Sequence, residues 1–148
     1  MILVSACLLG IDCKYNGSNN DNIKVKEYLK NKEFIIVCPE QLGGLTTPRD
    51  PSEIVKFDNS EIMDKAYKVI SNKNIDVTKN FIKGANETLK IAQIYNCKEA
   101  ILKDGSPSCG SNFIYDGSFT GNKIKGEGLT AKLLRDNNIK VISENELE

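Results

Sequence analysis

The chain of 148 residues contains no histidine. That absence removes Ser-His-Asp triads, Cys-His nucleophile pairs, histidine-bearing zinc shells and histidine-held haem. Acid–base chemistry must then use carboxylates, lysines, tyrosines, thiols or bound water. Net charge is lacking too: 20 basic residues balance 20 acidic ones, so no global field draws the protein to nucleic acid. Only a local patch such as Lys79, Lys83 and Lys90 would do so. No apolar run approaches the roughly 20 residues that span a bilayer. Met1-Ile2-Leu3-Val4 has neither the basic start nor the long apolar core of a signal peptide. The expectation is a cytoplasmic protein without a membrane partner. Its five cysteines are an odd number, which in that compartment argues for metal binding or catalysis and against a disulfide framework.

The chain has enough residues for one core, and 40% of them are hydrophobic, which predicts a single domain over residues 1–148. Its organising stretch is Leu102-Lys103-Asp104-Gly105-Ser106-Pro107-Ser108-Cys109-Gly110-Ser111. A short apolar run empties there into small residues around one thiol, with three serines offering hydroxyls and amides. The design recurs twice. Ile2 to Ser5 runs into Cys7 and Gly10, and Phe34 to Val37 runs into Cys38, Pro39, Glu40, Gly43 and Gly44.

In chain order, Ile2-Leu3-Val4 reads as a buried strand. Asp21 or Asn22 caps a short helix to about Asn31 with Ile23, Tyr28 and Leu29 facing inward. Glu33 to Val37 reads as a second buried strand. Pro48-Arg49-Asp50-Pro51 is extended and holds Arg49 as an anchor for an anion or as half of an ion pair. Ser52 to Asp76 fits a helix or a pair of short strands equally well. Asp76 or Thr78 caps a helix from about Lys79 to Asn96 with a core stripe of Phe81, Ala85, Leu89, Ala92 and Tyr95. Gly84 and Ala85 admit a close backbone neighbour, and Cys97 is a structural thiol. Ala100 to Leu102 is the third strand. Phe113 to Thr120 reads as a hairpin turning at Asp116-Gly117, placed to act as a lid. A last helix, about Leu129 to Asn137, presents its amino end to an anion or substrate carbonyl, and Ile139 to Ile142 closes the chain. The alternation predicts a Rossmann-like α/β fold, a largely parallel sheet flanked by helices.

In such sheets ligands bind beyond the carboxyl ends of the strands, which brings Cys7, Cys38 and Cys109 together. Thiols without histidine suit zinc or an iron–sulfur cluster, and spacing alone does not choose between them. Three structural cysteines are the plainer reading. A structural zinc takes four protein ligands, whereas three cysteines on a four-iron cluster leave one iron open.

Val4-Ser5-Ala6-Cys7-Leu8-Leu9-Gly10 with Tyr15-Asn16-Gly17, Cys38-Pro39-Glu40 with Gly43-Gly44 and Pro48-Arg49, Lys103 to Gly110, and Gly126-Glu127-Gly128-Leu129-Thr130 together resemble the thiouracil desulfidase family over nearly the whole chain. The resemblance implies a 4Fe-4S cluster held by Cys7, Cys38 and Cys109. Cys13, close to the first motif, reads as a supporting or structural thiol, with a fourth ligand closing the cluster as the alternative. It implies removal of sulfur from a thiolated pyrimidine by a redox-neutral hydrolysis. Glu40 is then expected to deprotonate water, Ser106 to move a proton, and Ser108, Arg49 and Lys103 to contact substrate. A free base is preferred over RNA, and a homodimer is compatible with the reading. The alternatives are a zinc-stabilised binding module, or a sulfur carrier using a persulfide on Cys109.

Overall fold

The computed structural model describes residues 1–56 and 67–147. Its centre is a four-stranded sheet in the order β2-β1-β5-β8, built from β1 (Ile2–Ser5), β2 (Phe34–Val37), β5 (Glu99–Leu102) and β8 (Lys140–Ser143). Every pairing in it is parallel, with Val4 opposite both Ile36 and Ile101. All four residues of β1 are buried, as expected of a central parallel strand covered on both faces. Alternation divides its side chains between two layers. Leu3 packs with Val37, Ala100, Leu102 and Val141 against Ala92, Ala131 and Leu134. Ile2, Val4 and Ile101 pack against Val25 and Leu29 on the opposite face.

The covering elements are α1 (Ile23–Leu29) on one face, and α3 (Thr78–Ile94) with α4 (Leu129–Asp136) on the other. Asn22 caps α1 by accepting the amides of Lys24 and Val25. Asp76 accepts the amide of Thr78 at 2.9 Å where α3 begins. In α1 the inward residues are Val25 and Leu29, and Ile23, expected inside, is 67% exposed because it occupies the outer side of the first turn. Tyr95 likewise falls outside the core, since α3 has ended one residue before it. The second strand is an edge, so Phe34 and Ile36 are exposed and only Val37 of it is buried.

A short helix α2 (Pro39–Leu42) follows β2 and packs directly on α3. A Cβ on Gly84 would stand 2.1 Å from Pro39 O, and one on Gly43 would stand 2.1 Å from Asn80 O. The two glycines thus allow the backbones to touch, as the sequence anticipated for Gly84.

Two antiparallel hairpins complete the chain: β3 (Ser52–Lys56) with β4 (Tyr67–Ser71), and β6 (Phe113–Tyr115) with β7 (Lys123–Lys125). The ambiguous Ser52–Asp76 region is therefore strands where described, and its residues 57–66 lie outside the described residues. The β6–β7 hairpin corrects the sequence reading. Ser118 to Thr120 belong to the connecting loop, because Asp116 takes the Ser118 amide and the Asn122 side-chain amide, opening a longer turn than Asp-Gly alone makes. Ile54, Val69, Phe81, Ala85, Ile114 and Leu129 bind these hairpins to the helices as a third apolar cluster. No helix among the described residues is long and apolar enough to cross a membrane.

Candidate functional site

The loops leaving β1, β2 and β5 meet at the carboxyl edge of the sheet around a cleft of about 790 Å³. Its wall includes Cys7, Cys13, Cys38 and Cys109, and none of them is in a disulfide. After β1 the chain makes one 3-10 turn, Ala6–Leu9, closed by Gly10 at φ 87°, and this turn carries Cys7. The Cys7 sulfur accepts the Asn20 side-chain amide at 3.4 Å. Cys13, buried beside it, accepts the Cys38 thiol on its backbone oxygen at 3.9 Å, and its own thiol lies close enough to Cys7 and Cys38 to shift both. The Cys13 thiol, helped by Asn20, outweighs burial and lowers the Cys7 thiol to about 7. Cys38 is lowered by the same neighbour, and Cys13, facing both thiols, is pushed up. Burial chiefly raises Cys109.

Pro39 at the first position of α2 fixes where that helix starts, which leaves Cys38 extended just before it and Glu40 in its first turn. Glu40 is the polar hub of the cleft. Its Oε2 accepts the Cys38 thiol at 3.5 Å, and its Oε1 accepts the Ser106 hydroxyl at 3.3 Å. The guanidinium of Arg49 lies 4.0 Å from Oε2. Arg49 also donates to Cys13 O and Thr47 Oγ1, each at 3.0 Å, and to Thr46 O at 3.3 Å. The expected anchor is thus occupied in fastening the Cys13 loop.

The third loop is organised by Asp104, which is 4% exposed. Its Oδ1 accepts the amides of Gly105, Ser111, Asn112 and Phe113 at 3.0–3.2 Å. The Asp104 amide in turn donates to the buried carboxylate of Glu144. Within this frame Ser106 Oγ accepts the amides of Ser108 and Cys109 at 3.0 and 2.7 Å while donating to Glu40. Lys103, half-buried at the cleft wall, donates to Asp104 O at 2.9 Å and lies 3.8 Å from Glu144.

Two sequence expectations change here. Ser108 is 1% exposed, and its hydroxyl shares a 2.7 Å bond with Thr130; it faces the core, leaving no atom for substrate. The amino end of α4 is likewise spent, since Leu129 donates to Pro107 O, and Thr130 and Ala131 to Ser108 O. Gly128 permits this contact, as a Cβ there would stand 2.4 Å from the Ser108 backbone. The hairpin expected as a lid forms a wall of the cleft through Phe113, Tyr115 and Phe119. Its loop is tied to β3 by Glu53, which accepts the amides of Gly117 and Phe119.

Sequence reasoning missed Asn20, Asp104 as loop organiser, Glu53 and Glu144. Asn20, Glu53 and Glu144 act by bonding a sulfur or backbone amide on another element, whereas Asp104 bonds amides of its own loop, where only the Asp104-Gly105 pair carried a local turn signal. Among the described residues no three cysteine, aspartate or glutamate side chains close around a single metal ion; the thiols are arranged along the cleft wall.

The fold and site define an α/β protein with a thiol-lined cleft at the carboxyl edge of a parallel sheet. The family model of 2-thiouracil desulfurase matches residues 2–146, and the chain belongs to that family. It is 46% identical over 147 residues to YbbK of Bacillus subtilis (strain 168), described as an uncharacterized protein; the match covers 99% of this chain and 97% of that one. A solved structure described as the 4Fe-4S-dependent thiouracil desulfidase TudS superposes with a TM-score of 0.86 at 39% identity, covering 99% of this chain and 91% of its own.

Proposed function

We propose that this protein is a 4Fe-4S-dependent desulfidase that hydrolyses the carbon–sulfur bond of a thiolated pyrimidine without net electron transfer, releasing hydrosulfide and the oxo base. The observation that carries the reading is the meeting of Cys7, Cys38 and Cys109 with the Glu40–Ser106 pair in one cleft. The donor set fits such a group: soft thiols, no histidine anywhere in the chain, and hydrogen bonds to two of the sulfurs that favour thiolate. Cys7, Cys38 and Cys109 would hold the cluster, with Cys13 and Asn20 supporting Cys7. When bound, the cluster supplies an iron that lacks a protein ligand and acts as a Lewis acid toward sulfur.

The chain's own residues do the rest. Glu40 Oε1 takes a proton from the water that attacks the thiocarbonyl carbon. Ser106 donates to that carboxylate, and its hydroxyl relays a proton at the same oxygen. Arg49 holds Glu40 and the Cys13 loop in place. Lys103 at the wall offers its ammonium to a polar atom of the base. The substrate in this reading is a small molecule in the cytoplasm.

The test is anaerobic purification followed by measurement of iron, acid-labile sulfide and zinc, then turnover of 2- and 4-thiouracil. The expected result is about four iron and four sulfide per chain, with uracil and hydrosulfide formed in equal amounts. Zinc alone, without turnover, overturns the reading in favour of a binding module.

A further inference from the structure

The loop joining β6 and β7 carries an unusual aromatic. Among the described residues, five non-glycine residues have positive φ. Four are asparagines (Asn31, Asn74, Asn96 and Asn138), the side chain that tolerates this region best. The fifth is Phe119, at φ 59°. A phenylalanine gains nothing locally from that conformation, and such strain persists where surrounding structure imposes it. Here the imposing group is Glu53, whose Oε1 accepts the amide of Gly117 at 2.9 Å and that of Phe119 at 3.3 Å. Gly117, at φ 92°, lies against β3 so closely that a Cβ would meet Ile54 O at 2.7 Å. Asp116 holds the other end of the loop through Ser118 and Asn122.

Packing does not account for the ring. Phe119 belongs to none of the three apolar clusters, and it is 39% exposed while lining the cleft. Its neighbours on that wall, Phe113 and Tyr115, already engage each other edge-to-face at 6.2 Å, and Lys123 lies over the Phe113 ring at 4.7 Å. Phe119 is the ring on this wall with a free face. A planar heteroaromatic base entering the cleft presents a π-face that matches an unengaged aromatic side chain.

We infer that Phe119 is a specificity-determining residue that stacks on the pyrimidine ring of the substrate, held in its strained conformation by Glu53. This rests on the thiopyrimidine reading above. It yields a signature that a structural role would not give. Glycine adopts positive φ without strain, so Phe119→Gly relaxes the loop while removing the stacking face.

The experiment compares wild type, Phe119→Gly, Phe119→Tyr and Glu53→Ala, each with its cluster loaded. The readouts are Tm, the KM for 2-thiouracil and the affinity for uracil by calorimetry. Phe119→Gly is expected to keep or raise Tm, to raise KM about tenfold, and to weaken uracil binding by a similar factor. Phe119→Tyr restores both constants, and Glu53→Ala, which removes the acceptor for the Gly117 and Phe119 amides, raises KM with the ring still present. Unchanged KM and uracil affinity in Phe119→Gly, with a lowered Tm, overturn the inference alone. Wild type that carries the cluster and binds uracil but turns over no thiouracil overturns the desulfidase reading, while loss of uracil binding in Phe119→Gly still supports the stack. Wild type that binds no pyrimidine overturns both.

Discussion

Ser106 Oγ lies 3.3 Å from Glu40 Oε1, joining the loop after β5 to the helix after β2 across the cleft. The same hydroxyl accepts the Cys109 amide at 2.7 Å, so one atom links the proposed general base to the backbone of a proposed cluster ligand. The two substitutions here should separate. Glu40→Gln keeps the size of the side chain and should retain iron and sulfide while kcat falls about 10²–10⁴-fold, the usual contribution of a general base. Ser106→Ala also strips the acceptor for two amides, so both kcat and the cluster's survival in air should fall. Metal analysis beside steady-state kinetics checks this. Normal turnover by Glu40→Gln with a full cluster would sink its assignment as base.

Cys13 lies beside Cys7 and Cys38 and accepts the Cys38 thiol on its backbone oxygen but, in the proposed site, is not itself a ligand. Cys13→Ser should therefore keep wild-type iron, sulfide and visible absorption, because the backbone oxygen that accepts from Cys38 and Arg49 is unchanged and a hydroxyl of similar size replaces the thiol. Cys7→Ser, Cys38→Ser and Cys109→Ser should each lose most of the iron. Equal loss in all four variants would make Cys13 a ligand.

Gly84 holds no functional group, yet it fixes the position of Cys38 and Glu40 through α2. Gly84→Ala places a methyl 2.1 Å from Pro39 O, which only a backbone shift relieves. The expected cost is about 2–4 kcal/mol of stability, with iron occupancy falling in the fraction that remains folded. Denaturant unfolding and iron analysis test both parts. An alanine variant as stable as wild type would show that α2 moves freely on α3.

Burial raises the Glu144 carboxyl above its ordinary value of 4.5, although the Asp104 amide and Lys103 oppose the shift. The folded state then holds this proton more tightly than the unfolded chain does. Its contribution to stability is fully present below about 4.5 and is lost as pH rises through the folded value. Unfolding free energies measured across that window should fall with pH in the wild type, and Glu144→Gln should flatten the slope. An identical slope in the variant would assign the dependence elsewhere.

The parts legible in the sequence were those governed by local pattern. Strand ends running into Cys7, Cys38 and Cys109 could be aligned because parallel strands fix which end of each loop faces the ligand edge. The stripe of α3 and the glycine at position 84 followed from helical spacing. What escaped depends on long-range donors and acceptors. Asn20 is an unremarkable loop residue until its amide meets the Cys7 sulfur, and Ser108 looks like a site hydroxyl until Thr130 claims it. Phe34 and Ile36 read as buried because composition does not reveal which strand of a sheet is the edge. Phe119 read as part of a strand, since nothing local announces a positive φ at phenylalanine.

The sheet order has a consequence for biosynthesis. In the sheet β1 lies between β2, which follows it soon in the chain, and β5, which follows only after α2, β3, β4 and α3. A nascent chain can pair its first two strands early, but the third cysteine loop arrives with β5 and is fixed against α4 later still. If Cys7, Cys38 and Cys109 hold the cluster as proposed, its delivery must therefore wait until the loop after β5 has been made and docked on α4. Until then the loops carrying Cys7 and Cys38 lack the third wall that completes the cleft.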